Sequence, residues 1–151
     1  MKQLQILLII FITIGFAQSI SAQRNIKIGY IRGEYNIGCG DQVWLATNKK
    51  KNQDKEVIFN SCDSEGLINL NGRDLELKRA GGYLDDKNFK VGRGGYEVWK
   101  GKNITVRLNY IFTWLCPPKD EQCEVYYYKG ILDINYNGKY RKVNIVGFGG
   151  S

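Results

Sequence analysis

Apolar and polar residues alternate with a period of two along most of the chain, which is what a half-buried β-strand requires, because successive side chains point to opposite faces. The alternation is clearest from Gly66 to Tyr110. This stretch holds an Asn71-Gly72 turn between two alternating runs, then a glycine-rich polar passage, then the start of the longest strand-like run. Asn-Gly tolerates the positive φ angles of a tight hairpin, so Leu67 to Leu70 and Arg73 to Arg79 are predicted to fold back on each other.

Taken in order, the pattern predicts strands over Asn25 to Ile31, Gln42 to Thr47 and Glu56 to Cys62, with Val57 and Phe59 on one side. Asn48 to Lys55 is wholly polar and reads as an exposed loop. Ala80 to Gly95, with five glycines and no lasting period, reads as a long loop or a weak strand around Phe89. Tyr96 to Lys100 and Asn103 to Leu115 follow as strands. The second is expected to carry Ile104, Val106, Leu108, Tyr110, Phe112 and Trp114 on one face. Glu124 to Tyr136, with a bend at Gly130, pairs through an Asn137-Gly138 turn with Lys139 to Phe148, placing Leu132 opposite Tyr140 or Val143.

No stretch shows a sustained 3.6-residue period. About eight short antiparallel strands therefore point to an all-β fold, a small meander barrel, with a β-sandwich as the alternative. The barrel is preferred because sequential hairpins build it and closure removes exposed sheet edges.

Export enters with the N-terminus. Met1-Lys2 is a short basic start, Ile6 to Phe16 is almost unbroken apolar sequence, and Ala17, Ser19, Ser21 and Ala22 are small. This is the pattern of a secretory signal peptide over residues 1–22, with cuts after Ala17 or Ser21 also fitting. An uncleaved anchor is the alternative. Residues 23–151 then form a single β-domain, with no transmembrane segment after cleavage, in the periplasm or outside the cell. Four cysteines in an oxidising compartment imply two disulfides. Cys116 and Cys123 flank the turn-forming PPKDEQ segment, which leaves Cys39 with Cys62. The rival four-thiolate zinc site lacks the paired C-x₂-C spacing, so no metal is assigned.

The chain of 151 residues has 22 Lys and Arg against 15 Asp and Glu, a formal charge of +7 that favours anionic partners such as acidic glycans. It has no histidine, which excludes Ser-His and Cys-His nucleophilic catalysis. Asp85-Asp86, Asp63 with Glu65, and Asp120-Glu121 are acid pairs that fall in predicted turns. Such residues hydrogen-bond locally there, so the structural reading outweighs an acid–base one. The glycines of VGRGGY are followed by a strand rather than a helix and so do not make a phosphate loop. Ten tyrosines and three tryptophans offer rings for stacking, and Tyr126-Tyr127-Tyr128 must present rings to both faces.

Cys62, LNGRDLEL from Leu70 to Leu77, and YEVWKG from Tyr96 to Gly101 together resemble the small periplasmic lysozyme inhibitors of the membrane-bound C-type family. The resemblance covers about a quarter of the mature chain. It implies an exported barrel whose Arg93, Tyr96 and Lys100 approach a lysozyme cleft. The family's Ser-Gly-Ala-Arg-Tyr loop is replaced here by GRGGY, and a positive chain would be repelled by a basic lysozyme. The C-terminal sequence YKGILDINYNGKYRKVNIVGFGGS is similar to that of exported proteins of Bacteroidetes-type bacteria, a likeness that implies no activity.

These readings converge on a non-enzymatic exported binding module that takes a protein or an anionic glycan. An inhibitor of a cell-wall-degrading enzyme is the narrow form. The expected contact surface is the Ala80 to Gly95 loop with Arg93, Tyr96, Trp99 and Lys100, with no cofactor implied and nucleic acid not expected. The alternatives are a carboxylate-dependent polysaccharide hydrolase and a structural envelope protein.

Overall fold

The computed structural model describes residues 25–33, 39–47, 56–84, 89–119 and 122–150. Eight antiparallel strands form a closed barrel in sequence order. They are β1 (Gln42–Leu45), β2 (Phe59–Cys62), β3 (Glu65–Leu70), β4 (Arg73–Leu84), β5 (Gly94–Gly101), β6 (Ile104–Leu115), β7 (Val125–Tyr136) and β8 (Lys139–Gly150). Closure runs from Gln42 opposite Phe148 to Leu45 opposite Ile145, so the sandwich alternative is set aside. The signal-peptide region, the polar loop Asn48 to Lys55, and the pairs Asp85-Asp86 and Asp120-Glu121 lie outside the described residues.

The two ends of the barrel are unlike. At one end, two-residue turns join the strands: Asn71-Gly72 and Asn137-Gly138 have positive φ at both positions, at 54° and 78° and at 51° and 74°. These turns match the twist of the strands they join. They fix the register, so that Leu70 pairs with Arg73 and, further along β7 and β8, Leu132 pairs with Val143. At the other end lie the short Asp63-Ser64 connection of β2 to β3, the longer connections of β4 to β5 and β6 to β7, and both predicted disulfides: Cys39–Cys62 and Cys116–Cys123, with Cα separations of 5.3 and 5.6 Å.

Inward residues fill the barrel. Val43, Phe59, Ile68, Val106, Leu108, Leu132 and Ile134 are all fully buried in one cluster with Trp99. An eight-stranded barrel is just wide enough for side chains to pack it. Each fully buried large aliphatic or aromatic side chain stabilises the fold by about 1.5–3 kcal/mol.

Five expectations are corrected. Asn25 to Ile31 is not a strand; it makes one isolated bridge, Ile28 to Leu70, and crosses the tight-turn end of the barrel as a strap. Gly29 N donates to Asn69 O and Ile31 N to Val57 O. Arg32 N and Gly33 N both donate to the Asp74 carboxylate, and the Arg141 guanidinium donates to Ile26 O. With its backbone shared among several partners, the segment cannot sustain one ladder. Val57 and Phe59 do not share a face either. The chain bends at Ile58, so Phe59 enters the interior while Val57 packs outside against Ile31 and Trp44.

The glycine-rich stretch from Ala80 is largely strand. β4 continues to Leu84 through a bulge between Arg79 and Gly81, and β5 begins at Gly94. Gly82 and Gly95 lack the Cβ atoms that would collide with the Tyr96 and Tyr83 carbonyl oxygens, which lets the two backbones approach closely. A second bulge, between Phe112 and Trp114, breaks the predicted apolar face of β6. Phe112 pairs with inward Tyr128, but Trp114 pairs with outward Tyr127 and Leu115 turns in to the core. One extra residue, Thr113, reverses the parity of everything after it. Gly130 makes no bend, since β7 runs unbroken from Val125 to Tyr136.

Candidate functional site

Two groups of side chains at the disulfide-braced end are not explained by packing alone. The first is inside. Asp41 precedes β1, and its backbone is held in both directions by Ser61, with N–H to O distances of 3.0 and 2.9 Å. Its carboxylate accepts the Tyr126 hydroxyl at 3.2 Å and is only 7% exposed with the rest of its residue. Burial, and then the charge of Glu97, push the Asp41 carboxyl up to about 7. Glu97 points inward from β5, where it pairs with the Arg79 guanidinium at 2.8 Å and accepts the Trp99 indole N–H at 3.2 Å. Burial raises it as well, against the pull of Arg79 and Trp99. Burial raises the fully buried Tyr128 hydroxyl well above its ordinary value, and the Asp41, Tyr126 and Glu97 groups beside it add to the effect.

Glycine makes room for this cluster. A Cβ at Gly147 would overlap the Tyr128 ring, and one at Gly149 would overlap the Tyr126 hydroxyl and Asp41. The rings of β7 therefore lean over glycines of β8, directly across the ladder: Tyr126 opposite Gly149 and Tyr128 opposite Gly147. Phe89 closes over the same end, with its ring 4.6 Å from Phe112 and 6.0 Å from Tyr126 between centroids.

The second group is outside. The bulge at Thr113 brings Trp114 beside Tyr127, with ring centroids 5.6 Å apart and edge to face. Tyr127 adjoins Phe148 at 6.0 Å, and Phe148 stacks on Trp44 at 5.5 Å. Trp114 is 41% exposed and Tyr127 50%, whereas Trp44 is covered by Ile31 and Val57 and serves as the floor beneath Phe148. The Cys116–Cys123 bridge begins two residues from Trp114 and stiffens its setting. The result is a rigid aromatic strip across the outer faces of β6, β7, β8 and β1.

The residues singled out in the sequence are dispersed. Arg93 is exposed beside the disulfide-braced end, where its carbonyl accepts Phe112 N. Tyr96 is outward on β5, and the Arg107 guanidinium lies over its ring at 3.8 Å. Trp99 is inside the barrel at 1% exposure, and Lys100 lies toward the tight-turn end. Among the described residues, Cys39, Cys62 and Asp63 are a cluster of metal-type donors, but the two sulfurs bond to each other.

Among the described residues, Asp41 and Glu97 are acids that act on one another, and both are under 10% exposed. A glycosidic bond within a polymer cannot reach them. Among the described residues no helix is long and apolar enough to cross a membrane. Comparison with protein-family models, with curated proteins and with solved structures returned no match.

Proposed function

We propose that this protein is an exported, non-enzymatic binding module that holds an anionic glycan on the aromatic strip around Trp114 and Tyr127. One observation carries the reading: the bulge at Thr113 turns a tryptophan out of a core that could have used it and sets it against a tyrosine in the open. Bulges re-aim side chains near binding sites, and exposed stacked rings offer flat apolar surface to the faces of sugar rings. Two disulfides fit an oxidising compartment, and the surplus of lysine and arginine fits an acidic ligand.

Calorimetric titration with polygalacturonate is the test. Trp114→Ala is expected to weaken binding at least tenfold while leaving the unfolding midpoint within a few degrees, because the ring is outside the core. Equal affinity of Trp114→Ala and the parent would remove the proposal.

Lysozyme inhibition is a second reading, favoured by the exposure of Arg93 beside the Phe89 to Arg93 connection. Here Arg93→Ala is expected to abolish inhibition, and an unchanged lysozyme rate at micromolar protein would exclude it.

A further inference from the structure

The outward positions of β6, β7 and β8 form one continuous face that extends well beyond the aromatic strip. Along β6 they run through Ile111, Asn109 and Arg107, along β7 through Lys129, Ile131 and Asp133, and along β8 through Val146, Asn144 and Lys142 to Tyr140. Tyr127 and Asp133 are six positions apart, which spans about 20 Å along the strand.

Charge on this face is one-sided. Its outward charged residues are Arg107, Lys129, Lys142 and Asp133, three cations to one carboxylate. Asp133 is also occupied: its carboxylate accepts the Tyr140 hydroxyl at 2.7 Å and Asn109 Nδ2 at 3.0 Å, and it pairs with the Lys142 ammonium at 3.2 Å. Asn109 in turn accepts Arg107 Nε at 2.9 Å, and the guanidinium rests on the Tyr96 ring at 3.8 Å. The carboxylate therefore works as an anchor that fixes two cations and a 63%-exposed tyrosine in place, rather than as a repulsive charge. Ordered cations lose less freedom when they meet an anion, which favours binding. Lys129, between the two ends, has no carboxylate partner among the described residues.

Resting on the reading of Trp114 and Tyr127 as a sugar contact, we propose that the ligand is a linear polyanionic glycan laid along β6 to β8. It runs from the Trp114–Tyr127 strip past Lys129 to a second contact made by Arg107, Lys142 and Tyr140. Single-stranded nucleic acid also suits a basic aromatic face. The two disulfides fit an oxidising compartment, where acidic glycans are common polyanions, so a glycan is favoured and nucleic acid is the competitor to test.

Oligogalacturonates of two, four and eight units, titrated at constant salt, separate the possibilities. The octamer is expected to bind at least tenfold more tightly than the dimer. The double variant Arg107→Ala, Tyr140→Ala should bring the octamer down to the dimer's affinity and leave the dimer unchanged, whereas Trp114→Ala should weaken both. If the double variant leaves octamer affinity intact while Trp114→Ala still weakens it, the second contact is wrong and the first stands. Absence of binding at every length overturns both. A neutral octasaccharide binding equally well, or a single-stranded octanucleotide binding more tightly, overturns the ligand assignment.

Discussion

Replacing Asp41 by Asn is expected to stabilise the protein at pH 8 and to leave its stability at pH 4 nearly unchanged. The carboxyl titrates at about 7 in the fold against 3.8 as its ordinary value. Below pH 4 it is protonated in both states and contributes no pH dependence. Between pH 4 and 7 the unfolded chain releases this proton while the folded chain keeps it, so stability falls by about 1.4 kcal/mol per pH unit. Above pH 7 the folded state carries the full penalty of a buried charge close to Glu97, roughly 4 kcal/mol as an upper bound. Asparagine removes that charge, and its amide oxygen can still accept the Tyr126 hydroxyl. Urea unfolding of parent and variant at pH 4, 6 and 8, with the disulfides kept oxidised, measures the difference directly. Parallel curves for the two proteins would show that the carboxyl is not held neutral by its surroundings.

Trp99→Ala should destabilise the protein by about 3–5 kcal/mol, the range for emptying a buried tryptophan site. The ring is enclosed by the barrel, contacts Phe59 edge to face at 5.7 Å, and gives its indole N–H to Glu97. Its loss leaves a void and removes a donor from a buried carboxylate, and both effects act in the same direction. Trp99→Phe should recover most of the packing but not the hydrogen bond. Were Trp99 a surface contact, as its place beside Arg93 and Tyr96 in the sequence suggested, the alanine variant would melt with the parent. Chemical unfolding decides between these outcomes.

How far the architecture could be read from the residues depends on how local its causes are. The Asn71-Gly72 and Asn137-Gly138 turns state their geometry in two letters, and each sets the register of the ladder that follows. Even the seating of Tyr126 and Tyr128 over Gly149 and Gly147 follows from the second turn, since counting outward from it pairs those positions. The cysteine spacing was equally informative. Bulges are different. Thr113 is flanked by apolar residues on both sides, so the alternation reads as continuous whether or not a residue is skipped, and the pattern alone puts Trp114 on the inner face. At Ala80 to Leu84 the glycines that let β4 and β5 approach closely look, in one dimension, like a loop. The Asp41 cluster was invisible because it is assembled across the closing seam between β1 and β8 and from β4, β5 and β7, contacts between residues as far apart as Asp41 and Tyr126. Burial of a carboxyl in that seam depends on closure, which no local pattern encodes.

The three tryptophans sit in three different environments: Trp114 outside, Trp44 covered beneath Phe148, and Trp99 in the interior. Their indole N–H signals in a nitrogen-15 correlation spectrum, followed during titration with oligogalacturonate, report the contact surface without any mutation. A saturable shift of the Trp114 signal with Trp99 unmoved is expected; a shift confined to Trp99, or no shift at any tryptophan while binding is measured by calorimetry, would rule out the outer strip as the contact surface.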